Sequence, residues 1–321
     1  MINVRLVVPP RLTARVSTFL CELDTVTHVV VMPGAAVSPE GDAIAFDAAR
    51  EAVSHVLEGL RDLGFDADRD DCVVSLAEVD APSRRAALAE RAAPGSPDDA
   101  IGWELVLGKA RADGVPSWSY YAFLTLATTI AAVAVVTDSA ILVVGAMVVG
   151  PEFGPVSALA VGLVLRHWWL ARDAVRLLAL GFAAAIAVTA VLALAARGVG
   201  WVTTEDLLRP RPLTSYIWRP DRWSFVVALL AGAAGVLSLT AGRANALVGV
   251  FISVTTVPAA GNLAVALALW QPSEISGSAL QLAVNLVGMT VAGALVLTAQ
   301  RLLTRRRESP TGAEATVLDQ P

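Results

Sequence analysis

Residues 145–155 read Gly145-Ala146-Met147-Val148-Val149-Gly150-Pro151-Glu152-Phe153-Gly154-Pro155. They lie inside an apolar run, 139–165, that is long enough to cross a bilayer. Proline removes a backbone donor, and its ring clashes with the preceding turn. Freed backbone groups within lipid are tolerated only where protein or a water-filled cavity receives them. A second apolar run, 246–270, is interrupted in the same manner by Gly249, Ser253, Thr255, Thr256, Pro258, Gly261 and Asn262. Two Gly/Pro-broken helices in corresponding positions point to a binding site near the bilayer midplane.

Working outward, six apolar runs are predicted to be spans: 118–136, 139–165, 174–196, 223–240, 246–270 and 280–303. Trp118, Trp168, Trp169, Trp201, Trp223 and Trp270 fall near their ends, as an aromatic belt does. Sliding the region against itself by 104 residues brings Gly145 onto Gly249, Leu159-Ala160-Val161 onto Leu263-Ala264-Val265, and Arg197 onto Arg301. Three spans per unit is an odd number, so the second unit, 222–303, enters the membrane inverted relative to the first, 118–197. That is an architecture of secondary transporters. Arg166, Arg172, Arg176, Arg243, Arg301 and Arg305–Arg307 then fall on one side. The positive-inside rule makes that side cytoplasmic, with both termini in the cytoplasm of a multi-pass inner-membrane protein. The connection 197–222 disagrees, since its five arginines fall outside.

Glu152 is the sharpest candidate. A carboxylate at the centre of a span is costly, usually faces a cavity, and marks an ion or proton path. The expected ion- or substrate-binding set is Glu152, Pro151, Gly154, Pro155, Ser253, Thr255, Thr256, Pro258, Asn262 and Asn285. Helix N-termini at the breaks turn positive dipole ends toward an anionic group. Asp138, following Thr137, is expected to cap the second span. No catalytic residue, cofactor or metal ligand is expected. HExxH, GxSxG and Walker A patterns are absent from the sequence, and the protein is not read as an enzyme.

The rest of the chain has a different character. Residues 1–115 hold 19 Asp/Glu against 11 Lys/Arg, a net of −8, whereas 116–321 hold 10 Asp/Glu against 13 Arg. Overall, 55% of residues are hydrophobic and 17% charged, with a mean hydropathy of +0.63. That is too apolar for a wholly soluble chain and lacks the basic face of a nucleic-acid binder. In residues 1–80 the order of patterns is strand 1–8, helix 11–23, strand 26–32, strand 42–46, helix 47–63 and strand 72–79, with turns at Pro33-Gly34 and Pro39–Gly41. This βαββαβ order is ferredoxin-like, as in ACT-type sensing domains. The fold class is thus α+β, a soluble head joined to an all-α membrane domain. Asp66, Asp68, Asp70 and Asp71 read as a solvated acidic turn, since the positions that calcium would need are not filled. His28 and His55 read as structural. Residues 81–117 are expected to be a linker with an amphipathic juxtamembrane helix, and 304–321 a cytoplasmic tail.

Asp138-Ser139, Gly145-Ala146-Met147 leading to Pro151 and Gly154-Pro155, Gly249 leading to Pro258 and Gly261, and Asn285-Leu286-Val287-Gly288 together resemble the DUF389 family of bacterial and archaeal membrane proteins. The resemblance extends over nearly the whole chain. The family commonly has Leu where this chain has Glu152, and a Pro pair where it has Val257-Pro258-Ala259. It implies the fold and carries no established activity. The expected function is a transporter-like or channel-like membrane protein for an ion or small solute, regulated by its head. The partners are the bilayer and that solute, with no nucleic acid, and a homo-oligomer is left open. The competing expectation is a membrane-anchored sensor or scaffold that transports nothing.

Overall fold

In the computed structural model the described residues are 1–66, 70–79, 83–93, 103–241 and 254–307. Asp68, Arg243, Gly249, Ser253 and the tail beyond 307 lie outside them. The chain divides into two compact units, 1–106 and 107–321.

In the first unit, β1 (Ile2–Val8) alternates Ile2, Val4, Leu6 and Val8 inward, all within 1% of full burial. One face of a period-2 strand covers the core while the other faces away. Around β1 stand β2 (Val26–Val37), β3 (Glu40–Ala48) and β4 (Val73–Glu78) in an antiparallel sheet of order β2-β3-β1-β4. Helices α1 (Pro10–Glu22) and α2 (Val53–Asp62) close that face with Leu12, Val16, Leu20, Val53, Val56, Leu57 and Leu60. Three differences from the expected pattern have local causes. β2 continues through Pro33-Gly34 with a shifted register instead of turning. Gly34 takes φ +63 there, and its N–H donates to Asp42 at 2.7 Å. α2 starts at Val53, because β3 keeps pairing to Ala48 and residues 50–52 form a 3-10 turn. Within the stretch read as linker, Arg84–Ala92 form α3, whose first turn is capped by the Ser83 hydroxyl. Helix α4 (Trp103–Asp113) bridges the sequence boundary between the units.

The second unit holds α5 (Trp118–Thr137), α6 (Ala140–Val149), α7 (Phe153–Val164), α8 (Trp168–Gly198), α9 (Thr204–Leu208), α10 (Arg222–Thr240), α11 (Thr256–Leu269) and α12 (Pro272–Arg307). Among the described residues, α5, α8, α10 and 272–303 of α12 are long and apolar enough to cross a membrane. The bent pair α6–α7 makes a fifth if it is counted as one span. The first part of the expected run 246–270 lies outside the described residues, and α11 alone has 14 residues. α8 and α12 begin earlier than predicted, at Trp168 and Pro272 rather than 174 and 280. Leu180, Leu230 and Leu295 point outward with more than half their surface exposed, as a lipid-facing wall would. Trp118, Trp168, Trp201, Trp223 and Trp270 are exposed at or just beyond helix ends.

Helix boundaries recur at a spacing of 104. Ser117 caps α5 and Asp221 caps α10. α7 is followed by left-handed Arg166 and α11 by left-handed Trp270, at φ +60 and +55. α8 starts at 168 and α12 at 272. α7 packs on α8 and α12, while α11 packs on α12 and α8. Asp138 does not cap α6 as expected. It closes α5 at φ +52 and accepts a hydrogen bond from the Thr214 hydroxyl at 2.8 Å, and the Ser139 hydroxyl makes the cap instead. The short Asp side chain tolerates the left-handed region better than most residues do.

Candidate functional site

The site is built at the break in the second span. α6 ends at Val149 because Pro151 has no N–H to donate to the Met147 carbonyl, four residues back. The chain bends by 53° before α7 resumes. Gly150 stands in the bend with no room to spare. A Cβ added there would meet Glu152 Oε2, and would lie 2.7 Å from Val257 Cγ2 in the first turn of α11. The bend in the 139–165 run therefore meets the first turn of α11. Pro155 and Pro258 each occupy the third position of their helices, α7 and α11. An N–H in the first turn has no intrahelical partner, so both prolines sit where they cost least.

Glu152 is buried at 6% exposure, and its Oε2 has no hydrogen-bond partner. Thr256, the first residue of α11, is fully buried and its hydroxyl also lacks a partner. An open cleft of about 260 Å³ reaches the break, lined by Gly150, Pro151, Phe153, Gly154 and Ser157 together with Asp113 and Leu239. Asp113 packs on Gly154, whose added Cβ would lie 3.2 Å from Asp113 Cβ. Loss of water raises the Asp113 carboxyl above its ordinary range, against the pull of Lys109.

The remaining expected residues belong to two polar clusters that involve α12. Thr255 Oγ1 accepts from Gln281 Nε2 at 2.9 Å and from Asn285 Nδ2 at 3.1 Å. Asn262 Nδ2 donates to Glu274 Oε2 at 3.1 Å and to Ser278 Oγ at 2.8 Å, while its Oδ1 accepts from Arg211 at 3.2 Å. Arg211 and Glu274 form an ion pair, and both are at least 95% buried. The expected set is thus divided, with Pro151, Glu152, Gly154, Pro155, Thr256 and Pro258 at the meeting of the breaks and Thr255, Asn262 and Asn285 tied into structural networks. Ser253 lies outside the described residues.

Sequence reasoning missed Arg211, Glu274 and Gln281. Gln281 and Asn285 are four apart on one helix face, which was a usable signal. Arg211 and Glu274 lie outside the predicted spans, where the sequence gives no signal of their pairing. Arg211 is spent on Glu274, Arg209 on the Val136 carbonyl at 2.6 Å, and Arg197 on the Ala268 carbonyl at 3.1 Å. In the first unit His28, at φ +53, bridges Asp47 at 2.7 Å and Ser83 at 3.3 Å, a link between β2, β3 and the cap of α3.

Residues 147–291 match the family model described as a domain of unknown function, DUF389. No curated protein and no solved structure matches the chain.

Proposed function

We propose, for a chain whose residues 147–291 place it in the DUF389 family, that it carries an ion or small solute across a membrane through a midplane site at the two helix breaks. In this reading it is a six-span inner-membrane protein with both termini cytoplasmic. Residues 118–197 and 222–303 form two three-helix halves of opposite orientation. The 104-residue recurrence of caps, helix starts and left-handed helix ends supports that arrangement. The head is ferredoxin-like, a reading supported by the strand order β2-β3-β1-β4 with a helix after β1 and another after β3, and it regulates the membrane part.

The observation that carries the proposal is Glu152. An intramembrane carboxylate with an unpartnered oxygen, at a break that an open cleft reaches, has no structural duty that pairs that oxygen. A packing kink alone would need the prolines and glycines but not the acid.

The test is water access. Cys21 is exposed and Cys72 buried in the head, so Cys21→Ser with Cys72→Ser provides a quiet background. Ser157→Cys, one turn into α7 at the cleft, is expected to react rapidly with a small water-soluble thiol reagent in native membranes. A silent thiol at position 157, beside a reactive Glu205→Cys control, would contradict the proposal and favour an anchored sensor.

A further inference from the structure

We infer that the meeting of the two breaks is a site for a small monovalent cation, sodium, in which Glu152 supplies the charge and Thr256 a neutral oxygen, with the proton as competitor for the same carboxylate. The inference rests on the midplane reading and names the ligand class of that site. Glu152 and Thr256 stand 104 positions apart, one immediately before α7 and the other opening α11. Each is more than nine-tenths buried, and each keeps an oxygen without a partner. Leaving one such group unpaired is costly, and here two are left at corresponding places. The contacts around Gly150 bring their two chain segments together.

Charge decides the ligand. Among the described residues, no Arg, Lys or His forms an ion pair with Glu152. A buried carboxylate without a fixed counter-charge must take up a proton or hold a cation. Helix N-termini draw anions, but Glu152 stands at the N-cap position of α7, and its carboxylate repels a second anion. A single carboxylate matches one positive charge, whereas divalent sites gather several. The donors are all oxygens, which hard cations prefer. Pro151 adds another by leaving the Met147 carbonyl without its helical donor, at the negative end of α6. Among the described residues, the titratable group that bears on Glu152 is Tyr120 of α5, whose buried hydroxyl also lacks a partner, and the cleft beside the break is lined by Asp113. Neither brings positive charge.

The test is binding of radioactive sodium to purified full-length protein in a choline buffer at mildly alkaline pH. Saturable binding is expected, displaced by unlabelled sodium and by acidification. Glu152→Gln is expected to weaken it by about tenfold or more, and Thr256→Ala by several-fold, with Thr256→Ser retaining most of it. Unchanged thermal unfolding of these variants in choline separates lost binding from lost fold. No saturable binding by the native protein, or native-like binding by a folded Glu152→Gln, overturns the inference. Labelling of Ser157→Cys tells the two failures apart. A reactive thiol at position 157 without sodium binding removes the cation assignment alone, and an unreactive one removes the midplane site as well.

Discussion

Arg197 and Arg301 stand 104 positions apart and make matching bonds within the second unit. Arg197, near the end of α8, donates to the Ala268 carbonyl of α11 at 3.1 Å, and Arg301, on α12, donates to the Val164 carbonyl of α7 at 2.9 Å. Ala268 and Val164 are themselves 104 apart. Both carbonyls belong to the last turn of a half-helix, where no backbone donor follows. α8 thus closes the end of α11, and α12 the end of α7.

Arg197→Ala and Arg301→Ala are expected to destabilise by similar amounts, about 1.5–3 kcal/mol for a charged donor to a partly buried carbonyl. Thermal unfolding of the detergent-solubilised protein reads this directly. A large loss in one variant beside none in the other would speak against equivalent roles.

Glycine content alone does not make a position sensitive. Gly145 has open space where a Cβ would go, whereas Gly150 has Glu152 and Val257. Gly145→Ala is expected to be neutral or stabilising by up to about 1 kcal/mol, from helix propensity. Gly150→Ala is expected to cost about 1–3 kcal/mol through overpacking and, combined with Ser157→Cys, to change the rate at which that thiol is labelled. Equal behaviour of the two glycine variants would show that the break is not packed as described.

Arg211→Ala strands the Glu274 carboxylate in the interior, and the loss is expected to be about 3–5 kcal/mol. The double change Arg211→Met with Glu274→Leu removes both charges and is expected to recover much of it. Unfolding in denaturant compares them, and a double variant no better than the single one would mean that the pair is not isolated.

In the head, hydrogen bonds from the Thr13 hydroxyl and the Gly34 N–H hold the Asp42 carboxyl below its ordinary value. A carboxyl lowered on folding stabilises above its unfolded pKa, and that stabilisation disappears as pH falls through the folded value. Amide exchange in residues 26–48 is expected to accelerate as pH drops below about 4, after correction for intrinsic rates. Asp42→Asn should flatten this acid response, and an unchanged profile would assign it elsewhere.

Much of this architecture can be read from residue order. The alternation Ile2, Val4, Leu6, Val8 specifies a half-buried strand, and Gly150-Pro151 announces a break because proline offers no N–H. What was hidden depends on distant partners. Nothing near Pro33-Gly34 reveals that β2 continues past it, since the Asp42 acceptor lies eight residues on. Arg211 resembles any loop arginine until Asn262 and Glu274, 51 and 63 positions away, are placed beside it. The meeting of Gly150 with Val257 is likewise a tertiary fact, and it is what brings the bend and the start of α11 to one place.

The opposed orientation of the two halves is tested most directly by sidedness. His167→Cys, Glu205→Cys and Gln271→Cys are made singly in the cysteine-free background, and intact cells meet an impermeant thiol reagent. Labelling at positions 205 and 271 from outside, with position 167 reached only after permeabilisation, is the expected result, because two spans then separate 205 from 271. Positions 205 and 271 on opposite sides would mean that the segment ending in α11 does not cross, and the inverted halves would fall with it.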